Sequence, residues 1–208
     1  MSAYVVLEGA DGCGKSTQAR QLAASFEEQG REVLHLREPG STTLGEGLRR
    51  VLLDPKSGDL SAYAEALLFT AARAELVSKV IAPALDSGKC VVAERCYLST
   101  WVYQGVAGGD EGVPLALLEE MTARAHGDVW PDRIVVIDVP AAVGRERVGA
   151  GDPDRIEAKS GAYFEAVSAG YRQLAAAHDR CCLVDGGLDE AGVAAAVRAA
   201  VADLMVAS

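Results

Sequence analysis

Gly9-Ala10-Asp11-Gly12-Cys13-Gly14-Lys15-Ser16 is the stretch on which the reading of the chain turns. It fits G-x-x-x-x-G-K-[ST], a loop whose backbone N–H groups cradle phosphates, with Lys15 reaching the β/γ oxygens and Ser16 placed on Mg²⁺. In a chain of this length and composition the bare pattern arises by chance only about once in a hundred. Just before it, Tyr4-Val5-Val6-Leu7-Glu8 is a short apolar run that reads as a buried strand. After it, Ala19, Leu22, Ala23 and Phe26 fall at i, i+3, i+4, i+7 of a helix that Gly30 stops. Strand, loop and helix in that order are the context such a loop requires.

Further out the same alternation repeats. Apolar runs at 33–36, 90–93, 133–138 and 181–185 read as strands. Helical patterns fill 44–53, 61–86, 99–104 and 113–126, and the apolar sets Tyr163 to Leu174 and Val193 to Leu204. On α-helix 44–53 the apolar side is Leu44, Leu48, Val51 and Leu52, and Pro83 should bend the end of the 61–86 helix. Residues 54–59 and 108–112 read as loops; 145–157, polar and carrying Gly149, Gly151 and Pro153, reads as a mobile flap. Near-continuous apolar strands alternating with helices imply α/β architecture: one domain, 1–208, with a five-stranded parallel sheet covered on both faces as a P-loop three-layer sandwich.

Composition narrows the partners. With 208 residues, half of them apolar, and a formal charge of −10, the chain has a sizeable core but no general basic face. Nucleic acid and anionic membranes are therefore unsuitable partners, and any phosphate must be met by a local cluster. No apolar run approaches the length of a membrane span and no export signal is evident, which points to the cytoplasm. The five cysteines show no metal-ligand spacing and read as reduced thiols. Cys13 stands apart: at a helix N-terminus a thiolate is favoured, so its alkylation should block nucleotide binding.

Residues just past the carboxyl ends of parallel strands face the ligand crevice, so Glu94 and Arg95 point where the phosphate loop points. Bringing two polyanions together needs more positive charge than one lysine supplies. Arg37, Arg73, Arg95, Arg147 and Arg155 supply it, and the N-K-x-D element of a GTPase is absent. A small kinase is the leading class.

Five blocks then carry a family resemblance: Leu7 to Thr17; Arg37-Glu38-Pro39-Gly40; Glu65-Ala66-Leu67-Leu68-Phe69-Thr70-Ala71-Ala72-Arg73; Glu94-Arg95 with Ser99 and Tyr103-Gln104-Gly105; and Asp154-Arg155-Ile156-Glu157. In order and at suitable spacing, they resemble bacterial thymidylate kinase. The resemblance implies ATP and Mg²⁺ as cofactors, dTMP as acceptor, and a homodimer formed through a helix in 61–82. It implies that Gly9, Ala10, Asp11, Gly12, Cys13, Gly14, Lys15, Ser16 and Thr17 bind ATP, that Ser16 and Glu94 hold the metal, and that Lys15, Arg95, Arg147 and Arg155 are catalytic. On the acceptor side, Glu38 and Pro39 line the site and thymine stacks on Phe69. Arg73 contacts the base edge or the phosphate, Arg95 holds the phosphate, and Ser99 and Gln104 read the base. Tyr103 presses on the sugar C2′, and Asp11 accepts the 3′-hydroxyl.

The reaction would be in-line attack by a dTMP phosphate oxygen on the γ-phosphorus. A monoester's second pKa near about 6 makes a general base unnecessary. His35, His126 and His178 are accordingly read as structural. The chain departs from the pattern at Glu94 (family Asp), Cys96 (aromatic or His), Ser41 (often Gly) and Cys13 (Arg or Ala), and in a flap where transition-state charge rests on Arg147 and Arg155. Those departures keep open a kinase for another nucleoside or monophosphate, and a nucleotide-binding regulator with little turnover.

Overall fold

The computed structural model describes residues 2–149 and 153–205. β1 (Tyr4–Glu8) lies at the centre of a five-stranded parallel sheet ordered β2 (Val33–Arg37), β3 (Cys90–Glu94), β1, β4 (Arg133–Asp138), β5 (Cys181–Asp185). The chain leaves β1 in one direction for β2 and β3 and in the other for β4 and β5. The crevice beyond the carboxyl end of β1 is thus a topological switch point, where ligands of such sheets bind.

Side chains alternate along each strand, and both sets are apolar because both faces are covered. Tyr4, Val6, Val91, Ala93, Ile134 and Val136 pack toward one face, against α3 (Ala62–Leu76), α5 (Tyr97–Thr100), α6 (Leu115–His126) and α8 (Gly161–Ala177). Val5, Leu7, Cys90, Val92, Val135 and Ile137 pack toward the other, against α1 (Lys15–Glu27) and α9 (Glu190–Ala200). α2 (Thr43–Leu53), α4 (Ala82–Asp86), α7 (Ala141–Val148) and α10 (Ala202–Met205) complete the helices described. Side chains accept from backbone N–H groups at four helix starts: Thr42, Ser61, Ser160 and Asp189.

Four details differ from expectation. The 61–86 helix is divided by a π-helical turn, Val77–Ile81. Pro83 has no N–H for the regular ladder, so the turn preceding it widens. A second π-helical turn, Trp101–Gly105, follows α5 and turns Tyr103 and Gln104 inward, and the expected loop at 108–112 is mostly the 3₁₀ turn Val106–Glu111. The flap is helical in its first part, since α7 runs through Arg145 to Val148; its positions 150–152 lie outside the described residues.

Candidate active site

The phosphate loop owes its shape to glycine at two close approaches. Gly9 has φ 135° and a Cβ there would lie 2.4 Å from the Ile137 carbonyl oxygen. Gly12 has φ 76° and its Cβ would lie 2.0 Å from the Gly144 oxygen. Only glycine adopts such angles in so little room. Lys15, nearly buried, donates from Nζ to the carbonyls of Gly9 (2.9 Å) and Ala10 (2.8 Å). Ser16 Oγ donates to Glu94 Oε2, and the other oxygen of Glu94 meets His35 Nε2 at 3.0 Å. Burial pushes the Glu94 carboxyl up, but the hydrogen bonds from His35 and Ser16 outweigh it and hold the group below its ordinary range. Arg37, Arg49, Arg95 and Arg147 line the same cavity as Lys15, and Arg147 also reaches the Gly186 carbonyl at 3.4 Å.

A hydroxyl touching a carboxylate is a hard-oxygen donor set suited to Mg²⁺, which takes few protein ligands and completes its shell from phosphate and water. Among the described residues no group of three His, Cys, Asp or Glu side chains could hold a metal by itself, so a cation at Ser16 and Glu94 would rely on nucleotide oxygens.

A second cavity of about 160 Å³ opens beside the loop, walled by Phe69, Pro39, Tyr103, Gln104, Ser99 and Arg73. Its polar walls are pre-paired. Arg73, 2% exposed, donates from Nε to Glu38 Oε2 at 2.7 Å and from Nη2 to Thr100 Oγ1 at 3.2 Å, while its buried Nη1 has no partner among the described residues. Burial raises the Glu38 carboxyl even with Arg73 beside it. Arg95, at φ 71° in the left-handed region, bonds Asp11 and reaches Ser99 Oγ at 3.0 Å and the Tyr171 hydroxyl at 3.3 Å. Tyr103 O–H donates to Asp11 Oδ2 at 3.2 Å. Asp11 is pushed up by burial, but Arg95 and Lys15 bring it below the ordinary carboxylate range. The two cavities share Asp11, Glu38, Arg49 and Arg95.

Beneath them Glu8, fully buried at the end of β1, uses both oxygens. Oε1 accepts from Cys96 N (2.8 Å) and Ser99 N (3.0 Å), and Oε2 accepts from Ser99 Oγ (2.7 Å) and Tyr171 O–H (2.9 Å). It thereby ties down the turn that carries Arg95, whose left-handed backbone costs about 1 kcal/mol or more and persists only where its surroundings impose it.

The structure brings the expected residues together with two exceptions. Cys13 is 2% exposed and packs in the core beside Ala19 and Leu22, so it is a small core residue and closed to reagents; the expected alkylation does not fit this placement. Arg155 does not join the phosphate cavity. It lies behind the second cavity, its Nη1 on Glu65 Oε1 at 2.5 Å and its Nε on the Leu52 carbonyl at 2.8 Å. Arg145 stands beside Asp11 and Phe164 in a third cavity against α7.

Sequence reasoning passed over Glu8, Glu65 and Arg49. For Glu8 the signal was parity, because position 8 continues the Tyr4 and Val6 side of the strand. For Arg49 it was helical spacing: Leu44 and Val51, expected inside, are 48% and 45% exposed, and the inward stripe runs Gly45, Arg49, Leu52. Arg49 Nη1 donates to the Pro39 carbonyl at 3.1 Å.

The chain resembles known proteins over nearly its whole length. The family model described as Thymidylate kinase matches residues 7–196. A thymidylate kinase of Symbiobacterium thermophilum is 45% identical over 180 residues, covering 86% of this chain and 83% of that protein. One of Halorhodospira halophila is 41% identical over 207 residues, 97% and 94% of the two chains, and one of Pseudomonas savastanoi pv. phaseolicola 41% over 196, 93% and 92%.

Proposed function

The chain belongs to the thymidylate kinase family, and on that footing we propose the part each residue of the crevice takes as the γ-phosphoryl group of ATP passes to dTMP, giving dTDP and ADP. The observation that carries the assignment is the shared wall of the two cavities. Asp11, Glu38, Arg49 and Arg95 belong to both, so an acceptor phosphate beside them meets the end of a triphosphate cradled by the loop.

In this reading the backbone of Gly9 to Thr17 holds the donor phosphates. Lys15 leaves the carbonyls of Gly9 and Ala10 for the β/γ oxygens. Ser16 and Glu94 would hold Mg²⁺, which when bound neutralises phosphate charge. On the acceptor side Arg95 and Arg49 fix the dTMP phosphate, Asp11 takes the 3′-hydroxyl, and the Tyr103 ring closes over the sugar C2′. Phe69 stacks on the base, while Ser99, expected to read the base, has its Oγ engaged with Glu8, Arg95 and Tyr171 and positions Arg95 instead. Arg73 Nη1, buried and unpartnered, donates to O4, and Gln104 faces N3–H.

Attack is direct, since the acceptor oxygen carries its negative charge at neutral pH. A bond forms from that oxygen to the γ-phosphorus as the bond to the β-bridging oxygen breaks. The protein's work is positioning and charge neutralisation by Lys15, Arg95 and Arg147. Arg155, held on Glu65, acts from behind the base.

We further assign one domain with a closing flap at 145–157, a cytoplasmic location, and a homodimer through the α2 and α3 face, where Leu44, Val51, Tyr63 and Leu67 are exposed. No helix among the described residues is long and apolar enough to cross a membrane. The test is a coupled ADP-release assay with MgATP and dTMP, dUMP, dCMP, dGMP or thymidine. The expected result is fastest turnover with dTMP; nucleotide binding without dTMP-dependent turnover would overturn the assignment.

A further inference from the structure

Glu65 is 1% exposed, lies in the first turn of α3, and is not itself among the residues lining the acceptor cavity. A buried carboxylate is costly unless it is paired and hydrogen-bonded, and this one is paired from two sides. Oε1 receives Arg155 Nη1 at 2.5 Å with Lys159 Nζ at 3.7 Å, and Oε2 receives Gln104 Nε2 at 2.8 Å. Arg155 is itself pinned: its Nε donates to the Leu52 carbonyl and its backbone N–H to that of Leu53.

Gln104 is the one of these partners that lines the acceptor cavity. Its amide has a donor end and an acceptor end, and a free glutamine turns either toward a ligand. Glu65, ion-paired with Arg155, offers only acceptor oxygens. It therefore takes the NH₂ end of Gln104 and leaves the amide oxygen for the cavity. Arg73 lines the same cavity, and its buried Nη1, unpartnered among the described residues, is the donor left for a ligand there.

A donor beside an acceptor complements a pyrimidine imide, which offers a 4-oxo acceptor next to an N3–H donor. Cytosine offers the reverse, a 4-amino donor next to a bare N3. We propose that Glu65 is a positioning residue for pyrimidine selectivity: by fixing the orientation of the Gln104 amide from behind, it makes the pocket accept thymine and uracil and reject cytosine. The Arg155 and Lys159 segment, by engaging Glu65 Oε1 from the far side, serves the same end. This rests on the reading of Gln104 as a base contact, and the experiment separates the two.

Measure kcat and KM for dTMP and dCMP in the wild-type protein, in Glu65→Gln and in Gln104→Ala, with calorimetric binding of dCMP alongside. A glutamine at 65 can pair with Gln104 in either orientation, so the kcat/KM ratio of dTMP to dCMP should fall by about 10- to 100-fold in Glu65→Gln. The fall should lie mainly in KM, with dCMP binding tightened. Because Glu65→Gln leaves the Arg155 guanidinium short of a counter-charge, Glu65→Gln with Arg155→Gln is the companion variant, and the ratio should collapse there too. A structural role alone would lower both substrates together and hold the ratio constant; that outcome overturns the proposal while a collapse in Gln104→Ala keeps the base reading. An unchanged ratio in Gln104→Ala overturns both.

Discussion

The two halves of the crevice are built on opposite faces of one sheet, and they hold their charges differently. On the face of Tyr4 and Val6, the walls of the acceptor pocket are held by buried carboxylates already engaged: Glu8 with Ser99 and Tyr171, Glu38 with Arg73, Glu65 with Gln104 and Arg155. On the face of Val5 and Leu7, the donor cradle places Lys15 against carbonyls of its own loop and Arg147 against a single carbonyl at 3.4 Å. An acceptor must be told from near relatives, which takes donors and acceptors fixed in advance, because an unmatched buried partner is what a wrong base suffers from. A triphosphate needs no such discrimination. It needs cations that can leave weak neutral acceptors for strong anionic ones.

If that division holds, the largest effect should come from the donor side and fall on turnover alone. Lys15→Ala should lower kcat by about 10³-fold or more, as loss of a transition-state charge contact does. Calorimetry should still find dTMP bound, since Lys15 is absent from the walls of the acceptor cavity. Loss of dTMP binding in that variant would break the comparison. The next effect belongs to the acceptor side and falls on the fold itself. Arg73→Met strands Glu38, and breaking a buried pair costs about 3 to 5 kcal/mol. The lower figure is expected, because burial already inclines Glu38 toward its proton. Urea unfolding at pH 7 measures this, and a loss under about 1 kcal/mol would mean the pair is a weaker organiser than its burial suggests.

How much of this could be read before folding follows from which residues obey a period. The strands were legible because their apolar runs are bounded by polar or glycine residues, and the loop because its spacing has few other uses. Direction was harder. Leu44 and Val51 obey a helical spacing yet face outward, since periodicity marks a stripe without naming what covers it, and so Arg49 on the inward stripe was passed over. Arg155 was legible as an arginine beside the flap, but nothing local to it announces Glu65, ninety positions earlier in the chain. Glu8 alone was recoverable by counting, as the next inward position after Tyr4 and Val6. Buried carboxylates are thus the least legible parts of the pocket, because each takes its meaning from partners far off in sequence.

A pH effect on the acceptor half comes next in size. His126 closes α6 beneath that face, its Nδ1 at 2.8 Å from the Val129 carbonyl and its ring stacked on Trp130 with centroids 4.9 Å apart. Burial, helped by the charge of Arg73, lowers it to about 4. The folded state thus keeps His126 neutral, while the unfolded chain takes up a proton near its ordinary value of about 6.5. The contribution to stability is whole above about pH 6.5 and is lost as the pH falls toward 4. Between pH 7 and pH 5 the loss is about 2 kcal/mol. His126→Phe should remove that slope, so its unfolding free energy should vary less with pH than the wild type's over this window. Equal slopes would show that the acceptor core does not exclude the proton.

The smallest effect tests the seam between the halves. Tyr103 touches Asp11 through its hydroxyl at 3.2 Å and covers Arg95 with its ring at 5.4 Å from the guanidinium carbon. These contacts have separate consequences. The hydroxyl steadies a loop residue of the donor cradle that also serves the acceptor sugar, whereas the ring limits what fits at C2′. Tyr103→Phe removes the first and keeps the second. A neutral-to-charged hydrogen bond at a partly exposed site supports a loss of about 1 kcal/mol, or roughly fivefold in KM for dTMP. The preference for the deoxy over the ribo form should stay as it was, because the ring is unchanged. If that preference fell along with KM, the hydroxyl would be setting the position of the ring, and Asp11 would have to be counted with the fixed partners of the acceptor pocket and not with the movable ones of the donor loop.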